Sequence, residues 1–92
     1  MFTWINKQGV KSSDGYGVQS IDRFSIEYRE GSKVVTVAVE PGFFGGGPSV
    51  SISPSAFERW NRSPTRNTPE QQAQMLCNFK AAMQFQGVAV EV

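Results

Sequence analysis

The stretch Arg23-Phe24-Ser25-Ile26-Glu27-Tyr28-Arg29-Glu30-Gly31-Ser32-Lys33-Val34-Val35-Thr36-Val37-Ala38-Val39-Glu40 decides the fold. From Arg23 to Glu30 apolar and charged residues alternate, so Phe24, Ile26 and Tyr28 are expected on one face and Arg23, Ser25, Glu27 and Arg29 on the other. Glu30-Gly31-Ser32 supplies a turn. The return segment, Lys33 to Glu40, places Val34, Val35, Val37, Ala38 and Val39 with little polar relief on either face, which predicts a central strand. Two strands joined by a short turn, one half-buried and one almost wholly apolar, are the centre of an antiparallel sheet.

The pattern extends toward the amino terminus. Val10 is followed by Asp14-Gly15, a hairpin signal because type I′ turns need positive φ at both central residues. The returning strand runs through Tyr16, Val18 and Ile21. On the other side, Pro41 to Pro48 contains Phe43, Phe44 and four glycines and is expected to be an irregular loop, since glycine raises the backbone entropy cost of order. Val50 and Ile52 alternate with serines in a short strand. A brief helix is expected next, capped by Ser53 or Ser55, with Pro54 in its first turn and Ala56, Phe57 and Trp60 as its apolar contacts.

Asn61 to Asn67 reads as a polar, Pro-broken loop before the one long helix. Thr68 is placed to cap that helix, Pro69 to open it and Glu70 to meet the positive end of its dipole. Met75, Leu76, Phe79, Ala82 and Met83 share a face, and Gly87 is the expected C′ residue. Val88 to Val92 alternates once more and reads as a terminal strand, paired within the monomer or across a dimer. The resulting class is α+β, one domain over residues 1–92. It is a mostly antiparallel sheet of about five to six strands, with a long C-terminal helix on one face and a short helix before it.

Composition narrows function. The 92 residues include no histidine, which removes the commonest general base and every His-containing metal site. A lone cysteine, Cys77, permits no intramolecular disulfide or multi-cysteine cluster, and reads as a partly buried small residue in mid-helix. The carboxylates fall at turns and on polar strand faces, so no catalytic residue is assigned, the chain is read as a non-enzyme, and neither metal nor other cofactor is expected. With nine Lys+Arg against eight Asp+Glu, the net charge of +1 steers the molecule toward no polyanion as a whole. The amino terminus lacks the apolar segment of a signal peptide and no run is long enough to span a bilayer, so a cytoplasmic protein without membrane contact is expected.

Candidate contact residues form two groups. Phe43 and Phe44, beside flexible glycines, suit an adaptable apolar contact with another protein. Arg59, Arg62 and Arg66 bracket Trp60, which is the equipment for backbone charge and base stacking in single-stranded nucleic-acid binding, or alternatively a solvated loop with Trp60 as its anchor. Glu58 partly offsets that patch. The glycine run lacks the Gly-Lys-Ser/Thr ending of a phosphate-binding loop.

Phe24-Ser25-Ile26-Glu27-Tyr28, Val50-Ser51-Ile52-Ser53, Trp60-Asn61 with Pro64, and Phe79 through Gly87-Val88 to Val92 together resemble the small immunity proteins of bacterial polymorphic toxin systems, in particular the family numbered seventy-four. The resemblance spans residues 16 to 92, and the Phe43-Phe44 glycine loop lies outside its pattern. It implies a bacterial cytoplasmic protein, non-catalytic, that neutralises a cognate toxin by protein-protein contact; from the terminal strand a monomer or weak dimer is expected. The alternative is a nucleic-acid-binding or phage-type accessory protein acting through the Arg/Trp patch.

Overall fold

The computed structural model describes residues 2–44 and 47–92. Its elements are β1 (Phe2–Asn6), β2 (Gly9–Ser12), β3 (Tyr16–Asp22), β4 (Ser25–Glu30), β5 (Lys33–Phe44), β6 (Gly47–Ile52), α1 (Pro69–Phe85) and β7 (Ala89–Glu91). The sheet runs in sequence order from β1 to β7. Every pairing is antiparallel except the last, in which β7 lies parallel to β6. The α+β class holds, with seven strands among the described residues rather than five or six. The additional strand is β1, which folds back on β2 through Lys7 and Gln8.

Register follows burial. Val10 faces Val18, Val18 faces Tyr28, Tyr28 faces Val35 and Ile26 faces Val37, so one continuous apolar face crosses four strands. The helix lies on this face through Met75, Phe79, Ala82 and Met83. Burial of Met75, Phe79 and Met83 contributes roughly 1.5–3 kcal/mol each. The helix begins where the sequence places it. The Thr68 hydroxyl accepts from the Gln71 amide at 3.1 Å, and the Gln71 side chain accepts from the Thr68 amide at 2.9 Å, a reciprocal capping box. Gly87, at φ +81°, takes the left-handed position that ends it. Among the described residues no helix is long and apolar enough to cross a membrane.

Three expectations are corrected. Pro41 to Pro48 is not an irregular loop: β5 runs on through Pro41 and Gly42 to Phe44, and the ladder with β6 extends to the Phe44–Gly47 pair. Alternation explains why proline is tolerated there. The Val39 amide points to the β4 side, donating to Phe24 O, so Pro41 directs its missing N–H to the same side, beyond where β4 has ended.

The short helix after β6 does not form. Ala56 N–H donates to Ser53 O and Glu58 N–H to Ser55 O, two successive tight turns. Further helical bonds are pre-empted, because the Phe57 and Glu58 carbonyls accept from the Asn67 side chain and backbone, while Asn61 N–H goes to Val34 O.

Phe24, expected to share the inward face of Ile26 and Tyr28, is 58% exposed. Asp22 Oδ1 accepts its amide at 2.8 Å and closes a turn that starts β4 only at Ser25.

Candidate functional site

Residues 53–68 cross from β6 to α1 without regular structure, yet their course is fixed by two asparagines. Asn61 behaves as a one-residue strand against the first half of β5: its amide donates to Val34 O at 2.8 Å, its Oδ1 accepts from Thr36 N–H at 3.1 Å, and its Nδ2 donates to Thr36 Oγ1 at 2.9 Å. It thereby caps the part of β5 that β6 does not reach, since β6 pairs only from Val39 onward. Asn67 is buried. Its Nδ2 donates to Phe57 O at 3.0 Å and contacts Met75 Sδ at 3.5 Å, its amide donates to Glu58 O, and its own carbonyl accepts from Gln72 Nε2.

Between these anchors the chain turns through Arg62, whose φ of +63° lies in the left-handed region that costs a non-glycine residue about 1 kcal/mol. The backbone is thus held in a shape that it would not choose alone.

Trp60 is half-buried and rests on Tyr28, with ring centroids 6.1 Å apart and planes within 22°. The Lys33 ammonium stands 5.9 Å from the indole centroid. Tyr28 is fully buried. Its hydroxyl donates to Glu30 Oε2 at 2.6 Å and accepts from Asn78 Nδ2 at 3.0 Å, tying β4 to the middle of α1. Burial first, and then that donation to Glu30, push the phenol well above the ordinary tyrosine range. An open groove of about 630 Å³ lies beside Trp60, bordered by Lys33, Val34, Asn61, Arg62 and Arg66.

Arg59, Arg62 and Arg66 are exposed, and Arg66 Nε lies 3.6 Å from Glu58 Oε1, a solvated pair of small energetic weight. The groove joins Trp60, Arg62 and Arg66 along one border; Arg59 is not part of its lining. Phe43 and Phe44 are elsewhere. They occupy the last rungs of β5, paired with Pro48 and Gly47, whereas Asn61 binds near that strand's start. A twelve-residue strand reaches up to roughly 36 Å, nearly the 38 Å long axis of the molecule. The two candidate groups therefore mark opposite ends of one strand. The expected exposure of the two phenylalanine rings lies outside the described residues.

Lys33, Asn61 and Asn67 were not singled out as site residues, and Asn61 entered only among the residues that carry the family resemblance. Lys33 carried a signal, as a cation at the start of an otherwise apolar strand. The asparagines carried only their positions flanking the Arg/Pro stretch. Cys77, expected to be partly buried, is exposed on the outer side of α1. The chain matches no family model, no curated protein and no solved structure.

Proposed function

We propose that this chain is a small, non-catalytic binding protein that neutralises a cognate bacterial toxin by direct contact, as the immunity-protein resemblance implies, with the Trp60 to Arg66 segment as its contact surface. The observation that carries this reading is the pair of asparagine anchors. They hold an irregular segment in one conformation while leaving Arg62 and Arg66 in solvent beside an open groove. A contact already ordered in the free protein loses less conformational entropy on association. Arg and Trp are the residue types that most often dominate binding energy. The complementary face of the partner would carry carboxylates.

The test is titration calorimetry against the polypeptide encoded beside this gene, with growth rescue on co-expression. A 1:1 complex is expected, weakened at least a hundredfold by the double charge reversal Arg62→Glu, Arg66→Glu and left intact by Phe43→Ser, Phe44→Ser. Absence of a complex and of rescue, or loss of binding only in the phenylalanine pair, defeats the assignment.

Nucleic acid is the second reading, favoured by Lys33 over the Trp60 indole and by Arg62 and Arg66 along the same groove. One face of the indole is already occupied by Tyr28, which leaves less of it for a base. Fluorescence anisotropy of a labelled single strand at low and moderate salt separates the two, since phosphate binding weakens steeply with salt.

A further inference from the structure

The groove beside Trp60 separates charges that the chain as a whole balances. Nine Lys+Arg against eight Asp+Glu leave the molecule near neutrality. Of the eleven residues that border the groove, three are cationic, Lys33, Arg62 and Arg66, and none is acidic. The carboxylates closest to them in sequence do not cancel this. Glu30 accepts from the Tyr28 hydroxyl, Glu58 pairs with Arg66 across 3.6 Å, and Glu70 lies outside the lining. Among the described residues Lys33 and Arg62 take part in no ion pair.

Two of these cations are in place before any ligand arrives. The Lys33 ammonium is drawn over the Trp60 ring, and Arg62 sits where the bonds from Asn61 to β5 and a left-handed backbone at φ +63° fix the chain. Shape restricts what can reach them. The groove, of about 630 Å³, lies between the start of β5, at Ser32 to Val34, and the segment from Asn61 to Asn67. A flat protein surface laid across it would desolvate the cations without supplying partners, which is unfavourable. A protruding loop or chain end carries its own charges in. A strand of nucleic acid fits less well, because the indole that would stack on a base already has Tyr28 against it and the Lys33 ammonium over it.

We infer that the partner enters this groove as a short acidic segment, a loop or terminus with two or more carboxylates that meet Lys33, Arg62 and Arg66 together. This rests on the binding reading above. It adds that a few residues of the partner suffice for recognition, and that Lys33, on the sheet, shares in it with the arginines of the crossing. An attraction of this kind, between solvent-exposed charges, is screened by salt.

Amide NMR spectra of the intact protein, titrated with a hexaglutamate peptide, test this, with hexaglutamine and a thymidine hexanucleotide as controls. Hexaglutamate should shift Lys33, Arg62 to Arg66 and the Trp60 indole N–H selectively, with affinity falling at least about fivefold between about 20 and 200 mM salt. Lys33→Gln and Arg62→Gln should each weaken binding about threefold, the size of one solvated ion pair. Both side chains are exposed, and an unchanged thermal melt shows that each variant keeps the fold. Competition separates the inference from the reading beneath it. If the polypeptide encoded beside this gene binds, and about 2 mM hexaglutamate neither shifts these signals nor displaces it, the acidic segment is refuted while the binding reading stands. If hexaglutamate binds here and that polypeptide does not, the choice of partner fails and the groove's preference is upheld. Equal binding of hexaglutamine, stronger binding of the nucleotide, or indifference to both glutamine variants overturns the inference.

Discussion

The hairpin of β5 and β6 and the crossing from residue 53 to 68 are both punctuated by proline and interrupt the apolar pattern, yet they satisfy their backbones by different means. The hairpin uses strand ladders, with Pro41 at a position whose N–H would meet no strand. The crossing has no ladder of its own. Side-chain amides of Asn61 and Asn67 take the place of one, and it borrows the uncovered half of β5 for support. Order in an irregular segment can therefore be as complete as in a strand, but it rests on a few replaceable atoms.

Substitutions separate the two regions. The largest effect is expected from Gly42→Pro, since residue 42 directs its N–H toward β6: about 3 kcal/mol of stability lost in urea denaturation. The neighbouring Pro41→Ala should change stability by less than about 0.5 kcal/mol, because no strand faces that side. A Pro41→Ala cost as large as that of Gly42→Pro would refute the alternation argument.

Asn67→Ala should cost about 2–3 kcal/mol by leaving the buried Phe57 carbonyl without its donor. In amide hydrogen exchange the loss of protection should spread over residues 57–68 while the hairpin stays protected. Uniform loss in both regions would mean that the crossing is not a separately held unit.

Tyr28→Phe removes the hydroxyl beneath Trp60 and should cost about 1–2 kcal/mol near neutral pH. Its pH dependence has a definite sign. The folded phenol titrates above the unfolded one, whose ordinary pKa is about 10. Above that pH the unfolded chain releases a proton that the folded chain retains, so stability is full below about 10 and falls as pH rises further. Tyr28→Phe should flatten that alkaline decline in melts at pH 7 and pH 11, and an unchanged slope would assign the decline to other groups.

The smallest effect is expected from Asn61→Ala, about 1 kcal/mol, with faster exchange confined to the Thr36 amide and its neighbours.

What could be read from the chain follows the same division. Period-two burial from Val10 to Ile52 and the Thr68-Pro69-Glu70 start of α1 are local signals, and the elements that they announce are present. β1 was missed because Phe2 to Asn6 joins β2 through Lys7-Gln8, which has neither glycine nor proline to mark a turn. The extension of β5 was missed because glycine and proline were read by propensity alone, whereas tolerance depends on which neighbouring strand has already ended. Asn61 and Asn67 act across 25 and 10 residues respectively, and no spacing rule links such partners before the fold exists. At the candidate site the Arg/Trp grouping was legible in outline, while its separation from Phe43 and Phe44 needed the true length of β5.

Six rings run in contact from Trp4 through Phe85, Phe2, Tyr16 and Tyr28 to Trp60, neighbours never more than 6.1 Å apart. The two indoles at its termini make the protein its own optical probe. With Trp4→Phe, ultraviolet emission reports the groove alone, and with Trp60→Phe it reports the sheet edge alone, so occupancy at one end can be followed by wavelength and quenching without labelling the other.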